Sequence, residues 1–352
     1  MKTKQKAALW LGAGSLAWAV GREAARRARS IELDGKVVLI TGGSRGLGLE
    51  LARQLASAPA RGEGAQVAIC ARDADELERA RLQLMGAGAS VETFVCDIGE
   101  QAQCEKLVAD VTQRLGPIDV LINNAASIQI GPAELMTMAD YEEAMRGHFW
   151  GPLYLTYAVA PQMRARHFGR IVNVSSFAGK FAPPHMTPYT ASKHAIAGLS
   201  KGLRAEFAKD GVYISAIYPT LLRTGSLYHA TFRGDHKTEF ALGSMMSSSP
   251  LFSMSVPRAA REIIECCKRG DAEAVLSRRA QIATALGVLF PGVTTDVLAL
   301  LNRVLPDGTG PDATREKMRG MESFSPLAPS SLTAPNDAAA HQFNETRPGP
   351  EK

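Results

Sequence analysis

The stretch from Val37 to Leu55 constrains this chain more than any other. Val37-Val38-Leu39-Ile40 is a short continuous apolar run, suited to a parallel strand buried on both faces. It leads directly into Thr41-Gly42-Gly43-Ser44-Arg45-Gly46-Leu47-Gly48, and a helical pattern follows from Leu49 to Leu55. Strand, glycine turn and helix in that order make the opening crossover of a doubly wound sheet. Glycines there allow a tight turn, let backbone amides approach a pyrophosphate, and leave the helix N-terminus open to an anion. An ordinary glycine-rich turn would lack these flanks.

The same alternation continues downstream. Strands are expected near residues 37–41, 66–71, 91–96, 120–123, 170–175, 213–218 and 274–277, with helical patterns between them. This predicts an α/β fold built on a doubly wound parallel sheet. A second constellation lies far from the first. Tyr189 and Lys193 are one helical turn apart, with Ser176 upstream. A phenol is a poor acid at neutral pH, so a Tyr that protonates an alkoxide needs a cation beside it to favour the phenolate. A Ser hydroxyl can donate to a substrate oxygen held nearby. Alone, Tyr-x-x-x-Lys is a weak signal, because the pair occurs on many solvated helices.

Together these motifs resemble the short-chain dehydrogenase/reductase family. The resemblance is carried by Thr41-Gly-x-x-x-Gly-x-Gly48, Cys96-Asp97-Ile98, Asn123-Asn124-Ala125-Ala126, Ser176, Tyr189-x-x-x-Lys193 and the stretch from Pro219 to Thr224, in family order and spacing over residues 35–278. It implies a Rossmann-like domain in which Ser176 polarises a carbonyl and Tyr189 protonates the alkoxide as a nicotinamide delivers hydride. Lys193 would then depress the Tyr189 pKa and hold the ribose. Carried over residue by residue, it implies a dinucleotide held by Thr41, Gly42, Ser44, Arg45, Gly46, Leu47, Gly48, Arg72, Asp97, Ile98, Asn124, Ala125, Lys193, Pro219 and Thr224, with no metal.

Charge bears on which dinucleotide. An acid at the end of the second strand would accept from a ribose 2′-hydroxyl and repel a 2′-phosphate. Here that place reads Cys70-Ala71-Arg72, with Arg45 in the glycine turn as a second cation. The planar guanidinium suits phosphate, so NADP(H) is expected over NAD(H). Three positions depart from the family pattern. His148 stands where an Asn usually holds a water in the proton relay; an imidazole can hold that water and can titrate near neutrality, or it can be a structural substitute. Thr220 and Ala126 each replace a usual Gly.

The ends need separate explanations. The chain has 352 residues and 45% hydrophobic content, more than one domain of about 250 residues requires. Residues 1–30 hold Lys2, Lys4, Lys6, Arg22, Arg26, Arg27 and Arg29 against Glu23, a net of +6 in a chain of +5, so the remainder sums to −1 and a basic nucleic-acid face is not indicated. Residues 7–21 are apolar and contain Trp10 and Trp18. As a helix they reach roughly 22 Å, short of the roughly 30 Å hydrocarbon core, so the segment spans marginally or lies in the interface. A secretory signal is the rival, opposed by the arginines just downstream and by the need for a cytosolic cofactor pool. The expected organisation is an anchor over residues 1–30 on the cytosolic face of a membrane, a catalytic domain over 31–278, two short helices over 279–306 that cap the body or touch lipid, and a disordered tail over 307–352. Residues 57–64 read as a surface insertion.

The five cysteines lack metal or disulfide spacing. After the sixth strand, residues 221–255 carry an apolar, Met-rich set including Leu227, Tyr228, Phe232, Phe240, Met246 and Phe252, which suits an irregular hydrophobic ligand or the packing of a lid. The expected function is therefore an NADPH-dependent carbonyl reductase, reversible as an alcohol dehydrogenase, acting on a lipophilic ketone or 3-oxoacyl substrate. The alternative is a membrane-tethered NADP(H)-binding module with little turnover. Related reductases pair through the Tyr189 helix and the one after Met145, so a homodimer or homotetramer is expected.

Overall fold

The computed structural model describes residues 20–21, 23–57, 64–308 and 313–346. The apolar segment expected over 7–21 lies outside them apart from its last two residues, and the insertion expected over 57–64 apart from its ends.

Seven parallel strands form the central sheet: β1 (Val37–Thr41), β2 (Gln66–Ala71), β3 (Val91–Val95), β4 (Val120–Asn123), β6 (Gly169–Val174), β7 (Val212–Pro219) and β11 (Glu273–Leu276), in the order β11-β7-β6-β4-β1-β2-β3. All five residues of β1 are buried. Its side chains alternate between two cores: Val38 and Ile40 belong to one, Val37 and Leu39 to the other. A Val, Leu or Ile buried in this way contributes about 1.5–3 kcal/mol, so β1 anchors both layers. Strand order reverses beside β1, which pairs with β2 on one side and β4 on the other. Ligands of such sheets bind outside the carboxyl ends of the strands at this switch.

The helices that position the site follow the strands. After β1 comes α2 (Gly46–Ala56), and after β2 comes α3 (Ala74–Gly86), capped by the Asp73 side chain accepting from the Glu76 amide. After β3 comes α4 (Gln101–Leu115). Between β4 and β6, α5 (Met138–Met145) runs through a π-helical turn (Arg146–Trp150) into α6 (Gly151–Ala165). After β6, α7 (Thr187–Phe207) carries Tyr189 and Lys193. A last helix on the body, α9 (Val256–Arg269), precedes β11.

The N-terminal helix α1, residues 23–29, does not belong wholly to an anchor. Arg26 donates Nε to Asp271 Oδ1 (2.6 Å), and the Ile31 amide donates to Lys268 O (3.0 Å), so these residues are pinned to the body.

The tail corrects the sequence reading most. Rather than being disordered, it contributes β12 (Ala313–Arg319) and α12 (Ala334–Gln342) to a C-terminal module. There β12 pairs antiparallel with β9 (Thr231–Asp235), which pairs parallel with β5 (Gln129–Ile130). Beneath lies α8 (His236–Ser248), with Phe232, Phe240, Ala328 and Ala340 buried between. Small side chains and polar caps do the packing, so no helical or strand period marks the sequence. Asn336 accepts from the Gly225 amide (3.2 Å), and Tyr228 donates its hydroxyl to Asp337 (3.0 Å). Phe232 and Phe240 are thus interior to the module rather than a ligand-facing surface; Met246 and Phe252 remain exposed. A short β8 (Leu221–Arg223) pairs with β10 (Ser253–Ser255) at its base. The helices expected over 279–306 are α10 (Arg278–Leu289) and α11 (Pro291–Asn302), bent at 115°.

Candidate active site

The glycine turn lies at the strand switch and is held by chemistry from β4. Asn124 donates its amide to Thr41 Oγ1 (3.0 Å) and its side-chain amide to Thr41 O (3.0 Å) and Gly42 O (3.1 Å); the Ala125 amide also donates to Thr41 Oγ1 (3.0 Å). Gly48 is required by close approach, since a Cβ there would lie 2.0 Å from Gly42 O. Gly46 takes a left-handed φ of 57° at the head of α2, where few other residues sit without strain. Thr224, buried at the end of β8, lies beside it, and Pro219 closes β7. Asp97 accepts from the Gly99 amide (2.9 Å), and Ile98 is buried behind it. The expected dinucleotide residues therefore converge on one edge of the sheet.

The reactive groups meet at the ends of β6 and α7. The Tyr189 phenol is buried at the head of α7, and Ser176 lies just after β6. Burial pushes the phenol up from its usual value, and the Ser176 hydroxyl opposes it. Lys193 is 2% exposed, and burial lowers its ammonium to about 7. Its Nζ donates to Val174 O (3.0 Å) and lies 5.5 Å from the Tyr189 ring centroid. In this structure the influence that lowers the Tyr189 pKa thus comes from Ser176, while Lys193 faces the ring and a carbonyl.

His148 differs from its expected role. Its ring meets the Tyr189 ring edge-on at 5.4 Å, but Nε2 accepts from the Ser127 amide (3.0 Å). That leaves the proton on Nδ1, 2.7 Å from Ser192 Oγ, which donates on to Tyr189 O (2.8 Å). Burial, with the Lys193 charge second, holds the imidazole well below its usual value. It is neutral with both nitrogens committed, so it neither titrates near neutrality nor offers a nitrogen to a relay water. It joins the Ser127 turn to the backbone of α7.

Arg45 also differs. It is not a free cation: Nη1 lies 2.7 Å from Glu76 and Nε 3.2 Å from Glu345, and Ser44 donates its hydroxyl to Glu76 as well. Arg72 remains exposed at the end of β2, with no ion pair among the described residues. Sequence reasoning missed Glu76, Ser127, Ser192 and the Glu345 region, none of which carries a motif. It also missed the buried His185–Glu239 pair, which ties the loop before Tyr189 to α8.

A doubly wound sheet with Ser, Tyr and Lys at its carboxyl edge beside a glycine turn defines an NAD(P)-dependent oxidoreductase. Residues 36–231 match the short chain dehydrogenase family model. A Streptomyces coelicolor protein assigned as a ketoacyl reductase is 31% identical over 260 residues, covering 72% of this chain and 98% of that one. Among solved structures, gluconate 5-dehydrogenase from Burkholderia cenocepacia with NADP and tartrate superposes with a TM-score of 0.61 at 27% identity, over 71% of this chain and 96% of that one. A variant of actinorhodin polyketide ketoreductase with NADPH gives 0.60 at 28%, over 68% and 95%. The chain belongs to the short-chain dehydrogenase/reductase family.

Proposed function

We propose that this protein is an NADPH-dependent carbonyl reductase, reversible as an alcohol dehydrogenase. The observation that carries the reading is the buried Tyr189 phenol with the Lys193 ammonium 5.5 Å from its ring centroid, at the carboxyl edge of the sheet where Ser176 follows β6. Thr41, Gly42, Gly46, Gly48, Asn124 and Thr224 would hold the dinucleotide, which supplies hydride when bound. Ser176 donates to the carbonyl oxygen, Tyr189 delivers the proton to the developing alkoxide, and the Lys193 charge favours the phenolate left behind. NADPH is supported by the exposed Arg72, by the absence of an acid at Ala71, and by NADP or NADPH in the two similar structures. Oxidation of NADPH over a panel of steroid, long-chain 3-oxoacyl, ketosphingoid and small aldehyde substrates tests the reading. Turnover highest on the lipophilic ketones is expected; binding of NADPH with no turnover on any would favour the tethered module.

A lipophilic substrate is supported by the bent pair α10 and α11. Leu286, Val288, Leu289, Phe290, Val293 and Leu300 are all exposed there, more large apolar side chains than scattered residues explain. Arg278, Arg279 and Arg303 flank it, the pattern of an interfacial element against anionic lipid. Among the described residues no single helix is long and apolar enough to cross a membrane. Flotation with phosphatidylserine vesicles should carry the protein, and Leu289→Glu with Phe290→Glu should abolish it. For self-association, exposed Trp150 and Tyr157 on the α6 side and the open Gly198 and Gly202 on α7 support pairing of copies through these helices. A strictly monomeric species at micromolar concentration in light scattering would count against it.

A further inference from the structure

The head of α2 already has a hydrogen-bonding neighbour, and it comes from the chain's own C-terminal segment. The Gly46 amide donates to Phe343 O (2.9 Å). Asn344, in the left-handed region at φ 57°, donates its side-chain amide to Ser44 O (2.8 Å) and Glu76 O (3.2 Å). Glu345 follows, 4% exposed. One carboxylate oxygen fills the space that glycine leaves at position 46, where a Cβ would lie 2.6 Å from it. The other is 3.2 Å from Arg45 Nε and 3.5 Å from His229 Nε2, yet makes no hydrogen bond. The carbonyl of Glu345 accepts from His229 Nε2 (2.7 Å).

The Phe343 carbonyl and the Glu345 carboxyl stand in for a phosphate: the first takes the free amide at the helix N-terminus, and the second fills the space beside it. Yet the carboxyl is incompletely satisfied. A buried carboxylate oxygen without a donor carries a desolvation penalty that a phosphate reaching several amides would not. Burial pushes the Glu345 carboxyl up to about 8, with Arg45 opposing and Glu76 adding to the rise. The residues just before are held differently. α12 is fastened through Asn336 and Asp337, bonds that do not involve residues 343–346. Tethering also keeps the segment at high effective concentration beside the turn.

We propose that residues 343–345 are an internal competitor for the pyrophosphate site, a gate that the dinucleotide must displace from Gly46 in order to bind. The proposal rests on the dinucleotide reading above. It goes further in making cofactor affinity a difference between two occupants of one cradle.

Hydrogen exchange on the full chain, with and without saturating NADPH, tests this directly. Peptides covering residues 340–346 should exchange faster with cofactor bound, while those covering 42–51 slow. In parallel, Asn344→Ala, which removes the bonds to Ser44 O and Glu76 O, and a chain ending at Gln342 should each bind NADPH about tenfold more tightly than wild type. Slower or unchanged exchange at 340–346, or weaker or equal affinity in both variants, would overturn the gate and leave the segment a fixed wall of the site. Failure of wild type and both variants to bind NADPH or NADH would overturn the dinucleotide reading itself, and the gate with it.

Discussion

Residues 36–231, which match the family model, and the C-terminal module that follows reach order by different routes. In the first, strands such as β1 and β2 are local apolar runs, and β1 feeds two cores. In the second, three strands from chain segments near residues 130, 233 and 316 meet only on folding, and their core includes Ala328 and Ala340 rather than a row of Val and Ile. The first region carries the reactive groups; the second touches their surroundings through the His185–Glu239 pair and the Gly46 contact. The comparison suggests that chemistry is written locally, while its surroundings are written in long-range contacts.

The largest expected effect would separate the two regions. Phe232 has no measurable exposure and lies only in the module, so Phe232→Ala should cost roughly 3–5 kcal/mol there. Thermal unfolding followed by limited proteolysis should then show residues 313–346 cleaved well before the sheet. A single cooperative transition would join the regions into one folding unit.

Next, Tyr189→Phe keeps the ring and removes the acid. Turnover should fall by two or more orders of magnitude, while NADPH affinity stays within about twofold of wild type. Steady-state kinetics beside a binding titration checks both, and unchanged turnover ends the mechanism.

Arg72→Ala tests whether the first region alone chooses the cofactor. It should weaken NADPH binding by about 1–3 kcal/mol and leave NADH nearly unaffected, since only the 2′-phosphate loses a partner. Arg45→Ala should change selectivity less, because Glu76 already pairs with that guanidinium. Equal selectivity losses would show that Arg45 leaves its carboxylates when cofactor binds.

The smallest effect is a proton. Glu345 is held at about 8 when seated, against an ordinary 4.5 once released. Between these values the seated carboxyl is protonated and the released one is ionised, so seating weakens as pH rises and dinucleotide affinity should climb across the window. Arg45, Glu76 and His229 face the group; His229, lowered by burial and then by Arg45, is neutral at pH 7.5. Calorimetry at pH 7.5 in buffers of different ionisation enthalpy should detect release of most of one proton per dinucleotide bound. No release would detach Glu345 from the binding event.

Most of the central sheet was legible because strands such as Val37–Thr41 and Gln66–Ala71 announce themselves with consecutive apolar residues. The Tyr189–Lys193 pair was legible because spacing on one helix determines which side chains share a face; Ser176, off that helix, was legible only through the family motif. The module was not: β5 has two residues, β12 reads Ala-Thr-Arg-Glu-Lys-Met-Arg, and both gain meaning only beside β9. His148 was legible as a departure but not in its role, because nothing in its neighbourhood says that Ser127 and Ser192 will take both nitrogens. Likewise Arg45 was visible as a cation, while its neutralising partners lie 31 and 300 residues away along the chain.

The π-helical turn over Arg146–Trp150 has a consequence of counting. A π turn amounts to one extra residue in a helix, and at 3.6 residues per turn one residue is about 100° of rotation. This single surplus residue sets the angular phase between α5 and everything beyond it. With it, His148 points inward against Tyr189 while Trp150 and Tyr157 point outward. Deleting any one residue in the turn would let a plain helix close and swing α6 by a quarter of a circle or more, presenting a different stripe to solvent and another side chain to Tyr189. Substitutions here change a group; a deletion would change the clock by which the whole helix is read.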